Sequence, residues 1–136
     1  MHHATGSFVV TITPEAQAPA PEGGMPTNRM AIHKIFSGGL VGEATGTMLA
    51  AGTPGPGKAA AYVALDQVTG TLDGHAGGFV LIHRGTITRA GVAELQVTIA
   101  PDSGTGALAG IAGTLAIDQS HGGHRYDLAY TLPATA

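Results

Sequence analysis

The sequence contains no cysteine. A thiol nucleophile, a disulfide framework and a thiolate-held metal are therefore excluded, while the compartment stays open. Charge is scarce as well: Asp, Glu, Lys and Arg make up 11% of the residues, and the six cations never cluster. A nucleic-acid surface needs several adjacent cations to displace counterions from phosphates, so no nucleic-acid partner is expected. No apolar run approaches the roughly 18 residues of a membrane-spanning helix. Met1–Val10 also lacks an apolar stretch of signal-peptide length. The corresponding expectations are no membrane association and a cytoplasmic address. The 22 glycines follow no G-X-Y period, which removes a collagen-like repeat. No stretch of about twelve residues free of glycine shows a 3.6-residue apolar period, so helices are not expected.

What remains is a succession of β-forming segments. With 136 residues, 43% of them hydrophobic, the chain reads as one domain spanning 1–136 that can bury a core without metals or disulfides. Ala4–Thr13 is rich in Val, Ile, Thr and Phe and stops at Pro14. Four prolines and two glycines then fill Pro14–Pro26, predicting a loop over about 14–28. Further strands are expected at Arg29–Phe36, Leu40–Ala51, Ala59–Leu72, Gly78–Thr88, Val92–Ala100, Thr114–Ser120 and His124–Leu132. Glycine turns separate them, at Gly38-Gly39, Asp73-Gly74 and His121-Gly122-Gly123 among others. Gly42 and Gly46 inside one strand point to bending, as in a barrel wall. In Val92–Ala100, Ala93, Leu95, Val97 and Ile99 alternate with more polar neighbours, the signature of one buried face. About eight antiparallel strands joined by short turns either form two sheets or close into an up-and-down barrel. Closure removes exposed edges, so the fold class expected is all-β, an eight-stranded antiparallel up-and-down barrel. Such a barrel is just wide enough to be filled by side chains or to hold one small ligand.

Four stretches taken together, Ala61–Asp66, VTGTLDG at Val68–Gly74, GGFVLIHRGT at Gly77–Thr86 and PDSGTGALAGIAG at Pro101–Gly113, resemble a bacterial family of unknown function. Its members have an allene oxide cyclase-like β-barrel. The resemblance runs from about Arg29 to Leu132. It implies an eight-stranded barrel of lipocalin-like shape that self-associates, and it implies no reaction. Two departures stand out: Asp66 where relatives commonly carry Glu, and Ile82 where Gln is common.

Strand parity then sorts the polar residues. In Gly78–Thr88, Arg84 should face water, which turns Phe79, Leu81 and His83 inward. In the preceding strand, the Tyr62, Ala64, Asp66, Val68 face competes with Val63, Leu65 and Gln67, and parity alone leaves this open. The resembling motif is built on the first. Lys34 shares a face with Met30, Ile32 and Phe36, and Tyr126 shares one with Leu128 and Tyr130. The expected interior is thus mostly apolar and holds Lys34, Tyr62, Asp66, His83, Tyr126 and Tyr130. Each also has a bland reading. His83 can be a hydrogen-bonded core residue, Lys34 can snorkel from a barrel mouth, Asp66 can lie outside, and the tyrosines can serve as wall. Taken together, an acid, an imidazole and an amine in one apolar cavity would perturb one another, as groups at working sites do.

Other motifs fail on their chemistry. Gly52–Lys58 imitates a phosphate loop, but Ala59 replaces the magnesium-binding Ser or Thr, and Pro54 and Pro56 remove two N–H donors. Gly104–Ala109 imitates a dinucleotide fingerprint whose helix is cut short by Gly110 and Gly113. His75, His121 and His124 show no metal-ligand spacing, and Ser103 lacks a nucleophile elbow. No metal and no cofactor are expected. Three functions remain. The first is a barrel that binds a small apolar or amphipathic molecule through Lys34, Tyr62, Phe79, Leu81, Tyr126 and Tyr130. The second is a cofactor-independent isomerase or cyclase, with Asp66 or His83 moving a proton and Lys34 or Tyr62 steadying an oxyanion. The third is a homo-oligomer, a dimer in the first instance, joined through an outer wall that includes Val80 and Ile82.

Overall fold

Successive side chains of a strand face opposite sides, so a segment with one apolar parity buries that parity against its neighbours. The described residues repeat this pattern along nine strands. They are β1 (His2–Ala18), β2 (Thr27–Gly38), β3 (Leu40–Ala51), β4 (Ala60–Leu72), β5 (His75–Ile87), β6 (Ala93–Ile99), β7 (Thr105–Gly106), β8 (Ala112–Asp118) and β9 (His124–Thr131). The structure, a computed structural model, describes residues 1–120 and 122–133. His121, expected in the last hairpin turn, lies outside the described residues.

Antiparallel pairing joins β1, β2, β3, β4, β5, β6, β8 and β9 in that order, and β9 returns to β1. The result is a closed eight-stranded antiparallel barrel, all-β and with no helix among the described residues, as the turn spacing predicts. The two-residue β7 pairs only with Gly77 and Gly78 of β5. The β4–β5 hairpin closes on Asp73-Gly74, both at positive φ, the geometry that Asp-Gly adopts in a two-residue turn. On β3, a Cβ at Gly42 or Gly46 would run into the carbonyl of Thr69 or Leu65. Glycine there permits the close approach that curves the wall.

The loop expected over about 14–28 is shorter than its composition suggests. β1 continues through Pro14 to Ala18, paired with β2 across a register shift between Pro14 and Ala16. β1 meets β9 only over His2–Phe8, so its second half is an edge. A proline that donates no ladder hydrogen bond is tolerated at an edge beside a bulge.

The barrel has unlike ends. At the lower end the 101–111 segment folds across the opening and buries Leu108 and Ile111. Leu40, Leu72, Leu81 and Leu128, all fully buried, pack with them into the core. The upper end carries the β3–β4 and β5–β6 connections, and nothing plugs it among the described residues. This explains β6, where Val97 and Ile99 are buried as expected while Ala93 and Leu95, on the same face, stay exposed at the mouth.

Tyr126 ties β9 to the β2–β3 turn. Its hydroxyl accepts the Leu40 N–H at 3.0 Å and donates to the Ser37 carbonyl at 2.8 Å. Burial pushes its pKa up, with the Asp73 charge adding to the rise, so the hydroxyl remains protonated. Tyr126→Phe leaves the buried Leu40 N–H unpaired and should cost about 1–3 kcal/mol. The check is a lower urea midpoint with an unchanged slope.

Candidate functional site

Three polar side chains meet inside the wall. Lys34 comes from β2, between Ile32 and Phe36 on the inward face; Asp66 comes from β4 and His83 from β5. β3 stands between β2 and β4, and at this level it offers only Ala44 and Gly46, paired with Lys34 and Asp66 respectively. Those small residues let the lysine reach across a whole strand. Lys34 Nζ donates to Asp66 Oδ2 at 2.7 Å, and His83 Nε2 meets the same oxygen at 2.8 Å. Nζ and Nε2 are 3.3 Å apart. The ammonium also lies 5.3 Å from the centre of the Phe8 ring, a cation–π contact.

All three are buried, and Asp66 is 0% exposed. Burial pushes the Asp66 carboxyl up, but the His83 hydrogen bond and the Lys34 charge together outweigh it and hold the group below its ordinary value. Asp66 is therefore a carboxylate, an acceptor only, and His83 Nε2 must carry the proton that points at it. The second oxygen, Oδ1, is buried without a hydrogen-bond partner and lies where a side chain at Gly46 would go. Among the described residues, no three His, Asp or Glu side chains converge in a way that could hold a metal ion.

The open upper end forms a cup of about 590 Å³. Ile12, Met30, Met48, Tyr62, Ile87 and Leu95 give it an apolar wall, with Asn28, Thr53 and Gln119 among the few polar members. One inward step deeper on β2 to β6, beneath the residues that line the cup, come Ile32, Gly46, Ala64, His83 and Val97. Tyr62 leans over Gly85, whose missing side chain makes room for the ring. Burial, reinforced by the Asp66 charge, pushes the Tyr62 phenol up, so it stays a neutral donor.

The expected interior group thus divides. Lys34, Asp66 and His83 come together, and Tyr62 stands above them on the cup wall. Phe79 and Leu81 are buried in the core and do not border the cup. Tyr126 and Tyr130 belong to the opposite end. There Tyr130 donates to Asp73 Oδ2 at 2.6 Å, and burial together with that carboxylate pushes its pKa up to about 12. Sequence reasoning put Met30 and Leu95 on inward faces but passed over them, and over Met48, Ile87 and Gln119, as site residues. The signal was their position near strand ends at the mouth, which matters only once one end is known to be open.

Removing one partner from a buried ion pair leaves an uncompensated charge. Asp66→Asn should therefore destabilise the barrel by about 3–5 kcal/mol, whereas the combined Lys34→Met, Asp66→Leu, His83→Leu change should recover most of that loss. Asp66 is held below its ordinary value, so its stabilisation is present above about pH 4 and disappears as pH falls through the lowered value. Urea midpoints measured from pH 6 to pH 2 should show that acid loss in the wild type and not in the triple variant.

The family model described as "Protein of unknown function (DUF3224)" matches residues 4–130. A solved crystal structure, of a protein with unknown function from the DUF3224 family of Shewanella oneidensis MR-1, superposes with a TM-score of 0.89. It is 40% identical in sequence, and the alignment covers 99% of each chain. No curated protein matches. With a family model spanning nearly the whole barrel and a close structural relative from the same group, the chain belongs to the DUF3224 family of proteins of unknown function.

Proposed function

We propose that the protein binds a small apolar or amphipathic molecule in the cup at the upper end of the barrel. The observation that carries this reading is the cup itself: about 590 Å³, apolar in most of its wall, with a few polar groups at defined positions, of which Glu94 alone is charged. Ligand sites commonly have this size and make-up. The isomerase or cyclase alternative needs Asp66 or His83 to touch a substrate. Asp66 lies beneath the floor and already shares one oxygen between two donors, so the geometry favours binding over proton transfer by Asp66.

The chain has no tryptophan, so an extrinsic fluorophore can be followed without protein background. N-phenyl-1-naphthylamine should brighten on binding with a micromolar dissociation constant. Ala50→Phe, which fills the cup from β3, should weaken it by about tenfold or more while leaving the melting temperature near the wild-type value. A dye that binds both proteins equally is not in the cup, and the reading fails.

A second reading concerns the outer wall. Leu49 faces Val63 across β3 and β4, and Leu65 faces Ile82 across β4 and β5, all four exposed. Val80, expected to share this surface, is half-buried beside Ser103 instead. A contiguous apolar wall of this kind suits a twofold contact with a second copy of the chain. Sedimentation equilibrium should give a dimer that Leu65→Lys with Ile82→Lys converts to monomer; a wild-type monomer at high concentration removes this reading.

A further inference from the structure

We infer that His83, through Nδ1, is the hydrogen-bond acceptor at the cup floor, and that the buried end of the ligand is an uncharged donor, a hydroxyl above all. The inference deepens the binding reading and depends on it. It starts from the tautomer. Asp66 is an acceptor-only carboxylate, so the 2.8 Å contact requires the proton on Nε2. In the neutral ring Nδ1 is then a bare lone pair.

The surroundings of His83 then point to the ligand. Its one hydrogen bond, to Asp66, is through Nε2, and Lys34 Nζ approaches that same nitrogen at 3.3 Å, which leaves Nδ1 without a partner among the described residues. His83 is one inward step from Gly85 on β5 and directly opposite Ala64 on β4, two of the smallest residues in the floor region. Asp66 is a further step down, and its remaining lone pairs face Gly46. His83 is accordingly the member of the trio nearest the cup.

Charge decides the rest. No Lys, Arg or His is among the residues that wall the cup. Arg29 is drawn to Glu15, and Lys34 is bound to Asp66. An anionic head entering the cup would lose its hydration with no counter-charge to replace it. A protonated amine would meet His83 with the Asp66 charge behind it already paired to the Lys34 cation. It could use Glu94, which borders the cup, but that residue is exposed at the mouth and has the outward parity of β6. A neutral hydroxyl meets an acceptor at the floor, while Asn28 and Gln119 serve any polar group left at the mouth.

Three matched probes test this at neutral pH: 2-naphthol, its methyl ether and 2-naphthoate. All are followed by displacement of N-phenyl-1-naphthylamine. The naphthol should bind about tenfold tighter than the ether, the worth of one buried acceptor satisfied, and the naphthoate should be weakest. Histidine nitrogen resonances of the unaltered protein supply the second readout, with the His83 signal assigned from its loss in His83→Gln. Free protein should show Nε2 protonated and Nδ1 bare, and naphthol should move the Nδ1 resonance upfield where the ether does not. Ether or naphthoate binding as tightly as naphthol overturns the ligand class and leaves the cup reading intact. An Nδ1-protonated tautomer, or an Nδ1 signal indifferent to bound naphthol, overturns the role of His83. If none of the three binds, the cup reading falls and this inference falls with it.

Discussion

A carboxylate with no access to water stays ionised only if charge and hydrogen bonds inside the protein replace its hydration. Asp66 is in that position, and much of the upper barrel is arranged around it. Its two donors come from strands on either side: Lys34 across β3, His83 from the next strand. The arrangement therefore fixes β2, β4 and β5 at one level. A slip of one residue in any of them would turn its polar side chain to the outer wall and leave the others unpaired. Apolar residues of similar volume could hold the barrel as firmly, so the trio supplies register and a defined imidazole more than raw stability.

Small residues make this possible. The interior of an eight-stranded barrel has little width, and two large side chains cannot occupy one level from facing strands. Gly46 and Ala44 clear the space that Lys34 and the Asp66 carboxylate occupy, and Gly85 clears the space beneath Tyr62. Where such clearance is combined with large residues from every side, as near Leu72, Leu81 and Leu128, the interior is solid. Toward the upper end the strands run on beyond the last packed level, and their inward residues become the wall of a cup. The same inward parity thus yields core at one height and pocket at another.

The two ends also differ in what closes them. Below, Leu108 and Ile111 from the 101–111 segment fill the opening, and Tyr126 and Tyr130 hydrogen-bond to the turns that border it. Both hydroxyls are thereby held at the lower end, away from the cup. Above, the loops at 52–59 and 88–92 border the mouth without filling it.

Much of this was legible in the residues. Alternation marked the strands, glycine pairs marked the turns, and inward Phe79, Leu81 and His83 followed from Arg84 needing water, because side-chain direction has a period of two and solvation acts residue by residue. Pro14 misled for a local reason: its missing donor matters only where a ladder partner exists, and pairing is not written in the neighbouring residues. The face of Asp66 was undecided for the same kind of reason, since Val63 and Leu65 are as apolar as the face that is buried. Which residues face the same way along a strand is thus a property of the sequence. Which of those faces meet, which end stays open, and that one carboxylate receives both a lysine and a histidine depend on strands 17 to 49 residues apart being brought to one level, a closure that local preference cannot specify.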